Sequence, residues 1–323
     1  AAANSGKNNI IRMVNKYGIK TIYNYMNHVQ NNARESIKNI IGKLNSGSYQ
    51  SKMDNGSIIK LSIKINKKNR TAVFNFQGTS AQTKDNFNTP KAVSRSAVLY
   101  VLRTLINTKI PLNDGCLEPI KIIIPKNSIL DPKYPAAVVA GNVETSQSIV
   151  DIINGALKVQ AACYGTMSNF TFGNNNFGYY ETICGGEGAS NKHHGVDATQ
   201  CHMTNTRLTD PEILELRYPV RIKNFSIRLK SGGIGKYMGG NGVIREIEFL
   251  KKMTAVILSN RRKIAPFGIK GGNSGMIGKN LLLKNNSNKL IKLNYSEAIK
   301  VFKGDKIIIK TLGGGGYGKK TTL

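Results

Sequence analysis

The sequence predicts an α+β fold: N-terminal helices and a helix-containing core, followed by a β-rich, glycine-rich C-terminal half. Three observations predict it. Residues 19–44 carry apolar side chains at three- and four-residue steps, the mark of one helical stripe. Residues 58–65 and 71–76 alternate apolar and polar in the strand manner. Beyond residue 220, short apolar runs recur between glycines. Helices mostly first and strands after is the α+β order.

The elements follow in turn. Residues 7–44 read as helical in two pieces broken at Tyr17–Gly18, the second with Ile22, Met26, Val29, Ala33, Ile37, Ile40 and Ile41 on one stripe. Asn45 to Ser48 ends it, and Asp54–Asn55–Gly56 marks a turn. Two strands follow, joined by the basic tip Lys64 to Arg70. Thr89–Pro90 opens a helix to about Ile106, with Thr as N-cap and Pro at the first helical position. Ile120 to Ile124 forms a buried strand, and a third helix spans Thr145 to Cys163. Residues 165–206 read as one long loop, the type of segment where binding and catalysis sit. Strands are expected at 225–229, 243–250, 253–258, 280–283, 289–293 and 306–310. As one domain over residues 1–323, the chain divides into a helical lead-in (1–50), an α+β core with the candidate site loops (51–220) and a β-rich portion (221–323).

Of 323 residues, 47 are basic and 18 acidic, giving a net charge of +29. Hydrophobic residues make up 40%, enough for a packed core and too many for a disordered chain. No apolar run approaches the ~20 residues of a membrane span, and four cysteines are too few for a disulfide scaffold. Ala1–Ala2–Ala3–Asn4 lacks the layout of a signal peptide, so the chain reads as a processed product or fragment whose upstream part is absent. The charge invites a nucleic-acid reading, but the lysines are scattered and no zinc finger, basic zipper or RNA-binding strand motif accompanies them.

Chemistry could reside in several stretches. Cys116, Cys163, Cys184 and Cys201 lack the spacing of a zinc site and read as structural thiols. The adjacent His193 and His194 sit on a loop and point apart, so no metal site is expected. His202 lies in Gln200–Cys201–His202–Met203–Thr204–Asn205–Thr206–Arg207, which is either a site or a polar network holding a loop. Glu181 precedes Gly185–Gly186, a carboxylate able to move protons beside amides able to hold an oxyanion; a surface acid and a tight turn fit the same residues. The glycine clusters at 231–242 and 313–318 match no phosphate-binding fingerprint: Gly233 and Gly235 are followed by Met238, and Gly278–Lys279 by Asn280.

In order along the chain, Phe74 to Ser80, Gly141–Asn142–Val143–Glu144–Thr145–Ser146–Gln147, Gly178 to Gly188, His202 to Arg207, Arg217–Tyr218–Pro219–Val220 and Gly313 to Gly318 resemble the hydantoinase B family. Within it, Asn169 to Gly173 and Gly178 to Thr182 are most similar to the ATP-dependent 5-oxoprolinases. The resemblance covers the whole chain but only the C-terminal part of that domain. It implies ATP-coupled hydrolysis of 5-oxo-L-proline to glutamate, in the cytoplasm and by a homo-oligomeric enzyme. It also implies a hydantoinase A-type partner that handles ATP and a divalent metal outside this chain, which alone would be inactive. Glu181 and His202 are the implied catalytic residues, and Asn142, Asn205, Arg207, Gly185 and Gly186 the implied substrate contacts. Asn260 stands where the family has Glu, and Asn191 to His194 replace an aromatic-bearing loop. N-methylhydantoin hydrolysis and ketone carboxylation by the same family remain alternatives, as does a basic nucleic-acid-binding module.

Overall fold

The computed structural model describes residues 1–106 and 110–320. Helix α1 (Ala2–Tyr17) and helix α2 (Ile19–Lys43) part at Gly18, whose φ of +82° lies in the region glycine adopts without strain. Only the C-terminal half of the α2 stripe is buried, through Ala33, Ile37 and Ile41; Met26 and Val29 remain exposed.

The first sheet has the order β1 (Gly47–Lys52), β2 (Ile58–Asn66), β3 (Thr71–Asn75), β4 (Ile120–Ile123). Strands β2 and β3 form the expected hairpin around the basic tip. Strand β1 was not expected, because its sequence Gly-Ser-Tyr-Gln-Ser-Lys is nearly all polar; its pairing with β2 supplies what side-chain pattern does not. β3 and β4 run parallel, and the crossover between them carries α3 (Lys91–Thr104). That helix begins one residue later than expected, with Pro90 at the cap. Thr89 is instead tied to the neighbouring chain, donating its N–H to the Ile129 carbonyl at 2.7 Å.

Helix α4 (Ser146–Leu157) lies against β1, β2 and α3 and is buried at every residue from Ser146 to Ala156. It ends at Leu157, six residues before the expected boundary at Cys163, and the cap residue Lys158, with a φ of +57°, turns the chain out of the helix. A π-turn at Gly141–Thr145 leads into it. Phe74, Phe76, Val98, Leu102, Ile149 and Ile153 close the core between this sheet and α2, α3 and α4.

The expected loop at 165–206 contains a hairpin, β5 (Asn169–Asn174) and β6 (Phe177–Thr182), whose polar and glycine content masked its strand character. Helix α5 (Pro211–Arg217) follows, capped by the Asp210 carboxylate, which accepts from the Glu212 and Ile213 amides. Next come β7 (Val220–Arg228), β8 (Gly242–Phe249), β9 (Met253–Leu258), β10 (Lys279–Leu283), β11 (Leu290–Leu293), β12 (Ser296–Val301) and β13 (Lys306–Lys310). They form two antiparallel sheets, in the orders β11-β10-β13-β8-β7 and β12-β9-β5-β6. Phe170, Phe172 and Ile257 from one, and Val243, Ile247, Phe249 and Ile307 from the other, share a single core. The α+β architecture with a strand-rich latter half is thus the one the sequence predicts.

Between these layers, extended glycine segments lie against one another. The Gly314 N–H donates to the Gly240 carbonyl at 2.9 Å, Gly240 to Glu187 at 2.8 Å and Gly315 to Ala162 at 2.8 Å. A Cβ on Gly314 would lie 1.9 Å from the Glu187 carbonyl oxygen, a distance no side chain tolerates.

Candidate active site

Helix α4 is apolar in sequence around a single carboxylate: Ile149–Val150–Asp151–Ile152–Ile153. A buried carboxylate must be paired, and Asp151 is. Its Oδ1 accepts the Cys163 N–H at 3.0 Å and faces His202 Nε2 at 3.3 Å, while Oδ2 accepts from Arg261 Nη2 at 3.2 Å. Asp151, Cys163 and His202 bring one donor atom each within 4.8 Å of the others. Both His202 (φ +57°) and Arg261 (φ +64°) are held in the left-handed region, a strained backbone that surrounding contacts must maintain.

Burial works against charge on the His202 ring, and the Cys163 thiol and Asp151 carboxylate beside it outweigh that, pushing its pKa up to about 10. Burial pushes the Cys163 thiol well above its usual range.

Cys163 and His202 of this cluster form one wall of a cavity of about 840 Å³, with Tyr100, Gln160, Glu187 and Gln200 on the others. The wall is rich in carboxamides. Gln160 Nε2 donates to Glu187 Oε1 (3.3 Å) and to the Gly188 carbonyl (3.0 Å); Asn154 donates to Gln160 (3.3 Å). The Tyr164 hydroxyl donates to Gln200 Oε1 at 2.7 Å and fixes which face of that amide meets the cavity. The Val196 N–H completes the partners of the Glu187 carboxylate at 3.0 Å.

Of the seven catalytic and substrate-contact residues expected from the sequence, only His202 lines this cavity. Glu181 is 3% exposed and fully engaged elsewhere: Arg245 Nε and Nη2 reach its oxygens at 3.1 and 2.9 Å, and the Tyr179 hydroxyl donates at 2.9 Å. Its place is the sandwich interior, which argues against proton transfer to substrate. Gly185 and Gly186 offer no oxyanion hole, because their N–H groups already donate to the Thr199 and Leu312 carbonyls. Asn142 lies exposed on the π-turn, and Asn205 and Arg207 lie exposed on the segment after His202; none lines the cavity. His193 and His194 are occupied locally, the latter accepting the Met238 N–H at 2.9 Å.

The sequence reading missed Asp151 and took Cys163 for a structural thiol. Asp151 had a legible signal, a lone carboxylate in an apolar helical run; Cys163 had none. It also missed Glu144 on the π-turn, whose buried carboxyl is pushed up to about 8 by burial. Asn169 Nδ2 donates to Glu144 Oε1 at 2.7 Å, and Oε2 has no partner. The glycine segments do not fit a triphosphate, since the amides of Gly233, Gly314, Gly315 and Gly316 each donate to a backbone carbonyl.

This α+β domain has relatives in both sequence and fold. The hydantoinase B/oxoprolinase family model matches residues 1–320, and the chain belongs to that family. It is 44% identical to the 5-oxoprolinase of Dictyostelium discoideum, over 100% of this chain and 26% of that protein. It is 46% identical to the 5-oxoprolinase of Saccharomyces cerevisiae, over 99% of this chain and 27% of that protein. The chain therefore spans about a quarter of the length of these relatives. The ATP-dependent caprolactamase from Pseudomonas jessenii shares the fold, with a TM-score of 0.85 at 20% identity, over 98% of this chain and 59% of that one.

Proposed function

We propose that this chain is the part of an ATP-dependent 5-oxoprolinase that binds the five-membered lactam and carries out its ring opening. The cavity bearing Gln160, Gln200 and Asn154 carries this reading. A cyclic amide presents one N–H donor and one C=O acceptor, and carboxamides match both. A lactam is a poor electrophile, and phosphorylation of its oxygen by ATP makes the carbonyl carbon open to water. That activation is assigned to a hydantoinase A-type domain or subunit, which binds ATP and its divalent metal; the amides of Gly233, Gly314, Gly315 and Gly316 here are taken up by backbone carbonyls.

The residues of this chain then hold the activated ring. Gln160 and Gln200 orient its amide edge, Glu187 accepts a proton from attacking water, and the wall of Cys163 and His202, backed by Asp151, faces the reacting carbon. General acid–base assistance of this type contributes ~10²–10⁴-fold. The complete enzyme is placed in the cytoplasm as a homo-oligomer, and this chain by itself opens no ring. No helix among the described residues is long and apolar enough to cross a membrane.

The test assays the complete enzyme with ATP against 5-oxo-L-proline, N-methylhydantoin and acetone, measuring ADP and product together. Glutamate and ADP formed in equal amounts from 5-oxo-L-proline is the expected result. Turnover of N-methylhydantoin or acetone, with none of 5-oxo-L-proline, overturns it in favour of another member of the family.

A further inference from the structure

From the convergence of Asp151 Oδ1, Cys163 Sγ and His202 Nε2 beside the cavity, we infer that this chain binds one thiophilic divalent cation of the zinc class. Three donors of three chemical types meet at one point, each within 4.8 Å of the other two. The separation of Nε2 from Oδ1, 3.3 Å, is that of two light-atom ligands on a tetrahedral ion with bonds of roughly 2.0 Å. A thiolate and an imidazole select zinc-class ions over magnesium or calcium, which prefer all-oxygen sites.

The surroundings are those of a supported ligand set. Oδ2 of Asp151, the oxygen turned away from the cluster, accepts from Arg261 Nη2 at 3.2 Å and fixes the carboxylate plane. The Gly188 N–H donates to Cys163 Sγ at 3.2 Å, a contact that holds a sulfur in place. Partners of this kind, one shell out, are what orient metal ligands. Gly165 keeps the space open: a Cβ there would lie 2.7 Å from Asp151 Oδ2 and 2.9 Å from Arg261 Nε.

Three protein ligands leave the fourth position toward the cavity, where Cys163 and His202 both form part of the wall. That is the arrangement of a catalytic rather than a structural zinc, with water or a substrate oxygen as the last ligand. The site lies within the chain itself and is independent of the metal that accompanies ATP. Its binding can be read whether or not the lactam assignment holds.

The experiment strips the full chain with a chelator and titrates it with Co²⁺, then with Zn²⁺. One cobalt ion per chain is expected, with a sulfur-to-cobalt charge-transfer band in the near ultraviolet that Zn²⁺ abolishes. Cys163→Ser should lose the band, and His202→Asn should weaken binding at least ~10-fold. Cys184→Ser should alter neither, and circular dichroism on each variant confirms that it is folded. Failure of the folded wild-type chain to take up a stoichiometric ion overturns the inference. So does a charge-transfer band that survives Cys163→Ser.

Discussion

Arg245 grips Glu181 through two N–H···O contacts of 3.1 and 2.9 Å inside the sandwich, and both side chains are 1% exposed. The guanidinium also lies over the Phe225 ring, 5.0 Å from its centre. Such a pair is costly to break from one side, because the survivor is left charged and dry; removing one partner typically costs 3–5 kcal/mol. Glu181→Leu and Arg245→Met should each lose about that much in urea unfolding. The double variant should be more stable than either single. Additive losses would show that the two residues do not act as a pair.

Glu144 makes stability depend on pH. Its carboxyl is held near 8 in the fold against an ordinary 4.5, so the folded state keeps a proton that the unfolded chain releases. The stability this contributes is fully present below pH 4.5 and declines as pH rises through 8, by at most about 1.4 kcal/mol per pH unit. Glu144→Gln keeps the Asn169 contact and removes the proton. Its melting temperature should match wild type at pH 4 and exceed it at pH 8. Parallel curves across that range would contradict the assignment.

Gly314 should tolerate no side chain. Gly314→Ala drives a methyl group onto the Glu187 carbonyl, 1.9 Å away, where backbone rather than a yielding side chain stands. A loss of about 3 kcal/mol is expected, the upper end for overpacking. Gly178→Ala, with open space around it, should be near neutral. Equal behaviour of the two variants in chemical denaturation would sink the close-approach account.

His202→Asn in the complete enzyme should cut glutamate formation from 5-oxo-L-proline by at least ~100-fold with little change in fold. Glu181→Gln, by contrast, should show its loss in the melting curve first. A fully active, folded His202→Asn enzyme would remove the cavity from the reaction.

The sequence made the periodic elements legible and left the site mostly hidden. Ile59 to Ile65 alternate apolar and polar and Met253 to Leu258 form a short apolar run, and the strands there follow. β1 and β12 escaped because Tyr49 and Ile299 have few apolar neighbours of the right period, and pairing fixed them instead. Glu181 and Gly185–Gly186 looked like a site because sequence adjacency suggests shared space. β6 instead aims Glu181 into the sandwich, and the glycine amides pair with distant carbonyls. Asp151, Cys163, His202 and Arg261 come from four separate segments, so no local pattern could assemble them. Only His202, embedded in a dense polar stretch, drew notice.

The glycine contacts set when this protein can finish folding during its synthesis. Gly314 to Gly316 exchange hydrogen bonds with Ala162, Ala189, Gly233, Gly240 and Asn273, and the most distant of these, Ala162, is made 153 residues before its partner Gly315. Until residue 316 emerges, the amides of Ala189 and Gly233 and the carbonyls of Ala162 and Gly240 wait without their final partners. The segment then threads into a slot already lined with backbone. Ordering of the layers therefore waits for residue 316, and is slow in proportion to the sequence separation it spans.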